Sequence, residues 1–75
     1  MEDQQIATIR QNGSYIEYKL VNDNLWRLSN VSIYKNDDPG SGVVGYTAKT
    51  ITYKRNGRIY VWYLDNNYTE YIGRY

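Results

Sequence analysis

Ala7-Thr8-Ile9-Arg10-Gln11-Asn12-Gly13 recurs 44 residues later as Ile51-Thr52-Tyr53-Lys54-Arg55-Asn56-Gly57. Beyond the shared Asn-Gly the likeness continues, with Tyr18 matching Trp62, Leu20 matching Leu64 and Asn22 matching Asn66. Asn-Gly between alternating apolar runs is the strongest short-range hairpin signal, because both central turn positions need φ > 0. The chain therefore reads as one all-β domain over residues 1–75. It consists of two similar three-stranded antiparallel meanders, an internal repeat of 5–34 and 49–75, joined by a linker at 35–42.

Working outward from the two turns gives six strands, at about 5–11, 14–21, 25–34, 43–54, 58–64 and 68–74. Tyr, Ile, Val, Thr and Trp fill the runs, and Asn, Asp and Gly fill the breaks. No stretch repeats apolar residues at helical spacing. A two-residue loop at Asn12-Gly13 would set Ile9 opposite Ile16 and Ala7 opposite Tyr18. The core face of the first hairpin is then Ala7, Ile9, Ile16, Tyr18 and Leu20, since alternation separates apolar from charged positions. The repeat carries this to Ile51, Tyr53, Tyr60, Trp62 and Leu64 in the second.

A three-residue loop at Asn22-Asp23-Asn24 would place Trp26 opposite Leu20, and Leu28 opposite Tyr18, both inward. Val31 and Ile33 then face inward on the opposite phase, which asks for a bulge near Ser29-Asn30. At Asp65-Asn66-Asn67, a two-residue loop turns Tyr71 inward and keeps Glu70 out of the core. The segment Lys35–Gly42 carries Pro39 and Gly40-Ser41-Gly42 and reads as the one long connection. The two sheets would pack as a small sandwich or curl into an SH3-like or OB-like barrel.

Composition narrows the function. A chain of 75 residues buries a small core. With no Cys it has neither a disulfide framework nor a thiolate metal site. Ten Tyr and two Trp are the expected substitute, because each ring buries a large area, and oligomerisation is the other usual support. The lack of Cys fits a reducing, cytoplasmic setting. Met1-Glu2-Asp3-Gln4-Gln5 is acidic and polar, unlike a signal peptide. No apolar run approaches the ~20 residues of a membrane helix. Net charge is +1, but residues 1–42 carry −2 and residues 43–75 carry +3, so the second half is the anion-facing one.

Catalysis has little to work with. His and Cys are both missing, and Ser14, Ser29, Ser32 and Ser41 have no partner base. Glu17 and Glu70 are the only strand glutamates, and nothing in their spacing brings them together. The reading is of a non-enzymatic protein with no cofactor and no metal. Gly40-Ser41-Gly42-Val43-Val44-Gly45 matches G-x-G-x-x-G, yet a loop precedes it and a strand follows, where a phosphate site needs a helix start. Asn36-Asp37-Asp38 offers oxygens of the kind calcium takes, without EF-hand spacing, and reads as a turn. Three N-x-S/T sequons, at Asn12, Asn30 and Asn67, are expected by chance among eight Asn.

Two features point to binding. Ile59-Tyr60-Val61-Trp62-Tyr63-Leu64 is an uncharged run apolar on both faces, flanked by Arg58 and Asp65. With Trp62 inward, Ile59, Val61 and Tyr63 form an outer stripe, with Ile6 and Tyr15 as its first-half counterparts. Such a patch suggests a protein partner or self-association. The alternative is a weak, sequence-tolerant nucleic-acid binder, in which Lys54, Arg55 and Arg58 form a protruding basic hairpin tip and Tyr15 and Tyr63 stack bases. Aromatic rings with Asn and Asp would also suit a sugar, though no concave site is legible.

Overall fold

The computed structural model describes residues 4–74. Met1–Asp3 and Tyr75, the last residue of the repeat, lie outside them. Seven strands follow one another: β1 (Ile6–Asn12), β2 (Tyr15–Leu20), β3 (Trp26–Ser32), β4 (Gly42–Tyr46), β5 (Thr50–Arg55), β6 (Arg58–Tyr63) and β7 (Tyr68–Arg74). They form two antiparallel sheets, β1-β2-β3 and β4-β5-β6-β7, and neither closes into a barrel. Ile6, Ile16, Leu20, Val31 and Ile33 from the first sheet meet Ile51, Tyr53, Trp62 and Leu64 from the second in one buried cluster. This is the sandwich arrangement.

The second sheet has a fourth strand because the run at 43–54 is interrupted. The Thr47 hydroxyl accepts from the backbone N–H of Lys49 (3.2 Å) and of Thr50 (3.1 Å), closing a turn that splits it into β4 and β5. That turn also joins the sheets. The Ile6 N–H donates to the Ala48 carbonyl at 2.7 Å, while the Leu64 N–H donates to the Lys49 carbonyl at 2.8 Å and extends the β5–β6 pairing within the second sheet.

The two Asn-Gly hairpins have different registers. In the second, Arg55 pairs with Arg58, and Asn56 (φ 53) and Gly57 (φ 82) are the two turn residues, both at positive φ as expected. In the first, Asn12 pairs with Tyr15, so the turn is Gly13-Ser14, with φ 62 at Gly13. Glycine stands there at the first central position, as in a type II′ turn. Ile9 consequently pairs with Tyr18 rather than Ile16. The shift moves the pairing by an even step, so β2 keeps its face: Ile16 and Leu20 are buried and Tyr18 is half-buried. A bulge between Ile6 and Thr8 turns Ala7 out to solvent and puts Ile6 in the core instead.

Trp26 and Leu28 do not face the core. The loop between β2 and β3 is five residues, 21–25, held by the Asp23 carboxylate on the Leu25 N–H and on Arg27. It pairs Lys19 with Trp26 and Glu17 with Leu28, on the outer face. The expected bulge is present, with Ser29, Asn30 and Val31 standing opposite Ile16. It inserts two extra residues, so no change of phase follows, and Ser29, Val31 and Ile33 all point inward. The buried Ser29 hydroxyl donates to the Ile16 carbonyl at 2.5 Å and accepts from the Val31 N–H, satisfying the backbone that the bulge unpairs.

The β6–β7 connection takes four residues, 64–67. Asn67 adopts φ 53, and its side-chain oxygen accepts from the Trp62 indole at 2.8 Å. Glu70 stays out of the core, opposite Val61. Tyr71 lies on the inward side, yet 52 % of it is exposed. A four-stranded sheet facing a three-stranded one leaves its last strand without cover.

Candidate interaction surfaces

β7 is where cover is missing. Of its seven residues all but Gly73 are exposed, and Tyr68, Tyr71 and Ile72 are each more than half exposed. It is the end strand of its sheet, so one row of its backbone groups faces outward. Its sequence, Tyr68-Thr69-Glu70-Tyr71-Ile72-Gly73-Arg74, holds neither Lys nor Pro, and the devices that blunt it are the extra residue Ile72 and the charge of Arg74 near its end, which leave Tyr68–Tyr71 as the regular stretch.

Ile59, Val61 and Tyr63 lie on the outer face of the second sheet. Thr50, Thr52 and Lys54 of β5 flank them on one side, and Tyr68, Glu70 and Gly73 of β7 on the other. All three are half-buried by these neighbours. The Tyr63 hydroxyl donates to Glu70 at 2.7 Å, and its ring stacks on Tyr68 at 6.4 Å between centroids. The Glu70 contact, with lesser help from burial, holds the Tyr63 hydroxyl above its ordinary 10.0. The stripe thus runs on into the uncovered edge strand. Gly45 pairs with Thr52, and Gly42 with Lys54, so the far side of this face is low.

Tyr15 does not belong to this surface. It sits on the outer face of the first sheet, between Asn12 and Ser32, on the opposite side of the sandwich. That face carries Trp26, with the Arg10 guanidinium 4.2 Å and the Lys19 ammonium 4.7 Å from its ring centre. Arg10 also pairs with Glu17 at 2.9 Å. Glu17 and Glu70 therefore occupy opposite faces of the molecule and form no carboxylate pair.

The basic tip is docked rather than protruding. Asn56 accepts from the Asp38 N–H at 2.8 Å, and its own N–H donates to the Ser41 hydroxyl at 3.0 Å, clasping the turn to the 33–41 connection. Arg55 is drawn inward by Asp37 at 3.1 Å, the Ser32 carbonyl at 3.1 Å and the Tyr34 ring at 4.6 Å. The Asp37 carboxylate also accepts from the Tyr34 N–H, so the oxygens that resembled a calcium site are spent on protein donors. Lys54 is half-buried on the outer face. Of the three tip cations, only Arg58 is exposed and free of an ion pair among the described residues.

Register reveals a further constellation that sequence reasoning missed. Across β5, β6 and β7 the pairs Tyr53–Tyr60 and Tyr60–Tyr71 place three tyrosines in one row, with ring centres 5.3 and 5.7 Å apart. The next row on the same side is Arg55, Arg58 and Arg74. Tyr53 is buried at the covered end, and burial raises its hydroxyl above the usual range, with Thr69 partly opposing. Tyr71 and Arg74 are exposed at the other end. Alternation in β7 could have suggested this row, but the extra residue Ile72, which shifts pairing between Tyr71 and Gly73, was invisible.

Comparison with known protein families, with characterised proteins and with solved structures returned no match.

Proposed function

We propose that this chain is a non-enzymatic binding module that joins its own copies through the second sheet, using the outer stripe Ile59, Val61 and Tyr63 together with the edge of β7. One observation carries the reading: the stripe continues through Tyr63 and Tyr68 into a seven-residue edge strand whose Tyr68, Tyr71 and Ile72 are each more than half exposed. Main-chain pairing along a free edge supplies affinity, and an adjoining apolar face supplies further burial. A chain this short without disulfides also gains stability by association.

Light scattering on the eluting protein over a range of concentrations tests it. The expected result is a discrete oligomer that Val61→Lys dissociates while the fold persists, since Val61 faces outward beside Glu70 and an interfacial charge must be desolvated. A monomer at every concentration would contradict the reading.

A further inference from the structure

We infer that the exposed end of the inward face of β6 and β7, at Arg58, Tyr60, Tyr71 and Arg74, is a second binding site, for single-stranded nucleic acid. Arg58 and Arg74 are Cα partners on adjacent strands. Like charges directly opposite one another oppose pairing, and no carboxylate among the described residues forms an ion pair with either. Glu70, the one acid on β7, is turned to the other face and held by Tyr63. The arrangement favours an anion placed between the two guanidinium groups, as a phosphate would be.

One step along β6 lies Tyr60, paired with Tyr71 across the strands and in ring contact with it. A two-residue step on a strand is ~6.6–6.8 Å, so cation row and ring row run side by side, a backbone-tracking charge next to a stacking platform. Tyr60 is backed by Tyr53 and packs on the core, which fixes the platform. Tyr71 is 52 % exposed, so its ring is available to a base. Duplex DNA would present only phosphates here, because its bases are already stacked. The site includes one residue of the basic tip, Arg58, and replaces Lys54 and Arg55 with Arg74 and the two tyrosines. It is separate from the outer stripe.

The test is fluorescence anisotropy with a labelled oligothymidine strand, against the duplex of the same length and a polyglutamate peptide as competitors. The single strand is expected to bind in preference to both, and more weakly as salt rises. Arg58→Ala and Arg74→Ala should each flatten the logarithmic salt slope by about 0.7. Tyr71→Ala should weaken binding about tenfold and Tyr71→Phe should restore it, since stacking needs the ring and not the hydroxyl. Arg27→Ala, on the other sheet, should change nothing. Melting curves check that each variant is folded; Tyr71 and both arginines are exposed and outside the core. Failure to bind the strand, equal binding of duplex, or no response to Tyr71→Ala would overturn the assignment. Displacement by polyglutamate as effective as by the oligonucleotide would do the same, and would point to an acidic protein.

Discussion

The two Asn-Gly hairpins share a dipeptide and differ in almost everything built on it. At Asn56-Gly57 both residues form the turn, the Asn side chain is bonded to the 33–41 connection, and β5 and β6 pair without a break. At Asn12-Gly13 the Asn belongs to the strand, Gly13-Ser14 makes the turn, and the pairing slips near its start. The second hairpin is central in a four-stranded sheet and supplies Trp62 to the core; the first is flanked only by β3 and leaves its sheet's Trp26 outside. The repeat thus carries the inward phase of Ile9, Ile16, Tyr18 and Leu20 to Tyr53, Tyr60, Trp62 and Leu64, but it fixes neither the bulge that turns Ala7 out nor how much sheet surrounds each hairpin. It is the surplus strand that creates exposed surface.

Exchanging the tryptophans probes this contrast most severely. Trp62 is 2 % exposed, against Tyr18 at 5.4 Å and bonded to Asn67, so Trp62→Ala should cost ~3–5 kcal/mol, a large fraction of the total stability of a domain this size. Trp26→Ala removes a ring held by two cations at the surface and should cost only ~1 kcal/mol. Urea titrations of both variants decide it; similar losses would mean that both rings share the core.

The two asparagines sharpen the comparison at a smaller scale. Asn56→Ala loses a bond to the Asp38 N–H and forces alanine to φ 53, for a cost of roughly 1.5–3 kcal/mol. Asn12→Ala, at a strand end, should change the unfolding free energy measured by the same urea titration by less than about 0.5 kcal/mol. Equal effects would show that the two turns are alike after all.

The tyrosine row gives the smallest difference, read through pH. The Tyr53 hydroxyl is raised above 10.0 chiefly by burial, so the neutral form is favoured in the fold. Its contribution is complete below the unfolded value of ~10 and is lost as pH rises through the folded one. Stability should therefore fall on the alkaline side, and Tyr53→Phe should flatten that fall. An unchanged alkaline slope in thermal melts of this variant would count against a buried hydroxyl.

Much of this was legible in the residues. Alternation identified Ile16 and Leu20 as inward, because charged neighbours leave that strand one choice of face, and the repeat carried the same phase to Ile51, Tyr53, Trp62 and Leu64. The break at Thr47 was hidden, since a Thr that caps a turn with its hydroxyl looks like any strand Thr. Trp26 was misplaced because the β2–β3 ladder starts at Lys19 and Trp26 rather than at Leu20 and Trp26, a one-residue slip that turns Trp26 and Leu28 to the other face. The outer stripe was legible as a column, but its continuation into β7, and the arginine row beside the tyrosines, depend on cross-strand register that no single strand reveals.

Amide hydrogen exchange followed as protein concentration is raised tests the central claim most directly, because it reports which strand a second copy covers. The account predicts that β7 amides exchange quickly in dilute solution and become protected on concentration, while the opposite edge, β4, is unchanged. Protection appearing at β4 or in the first sheet, or none at any concentration, would contradict it.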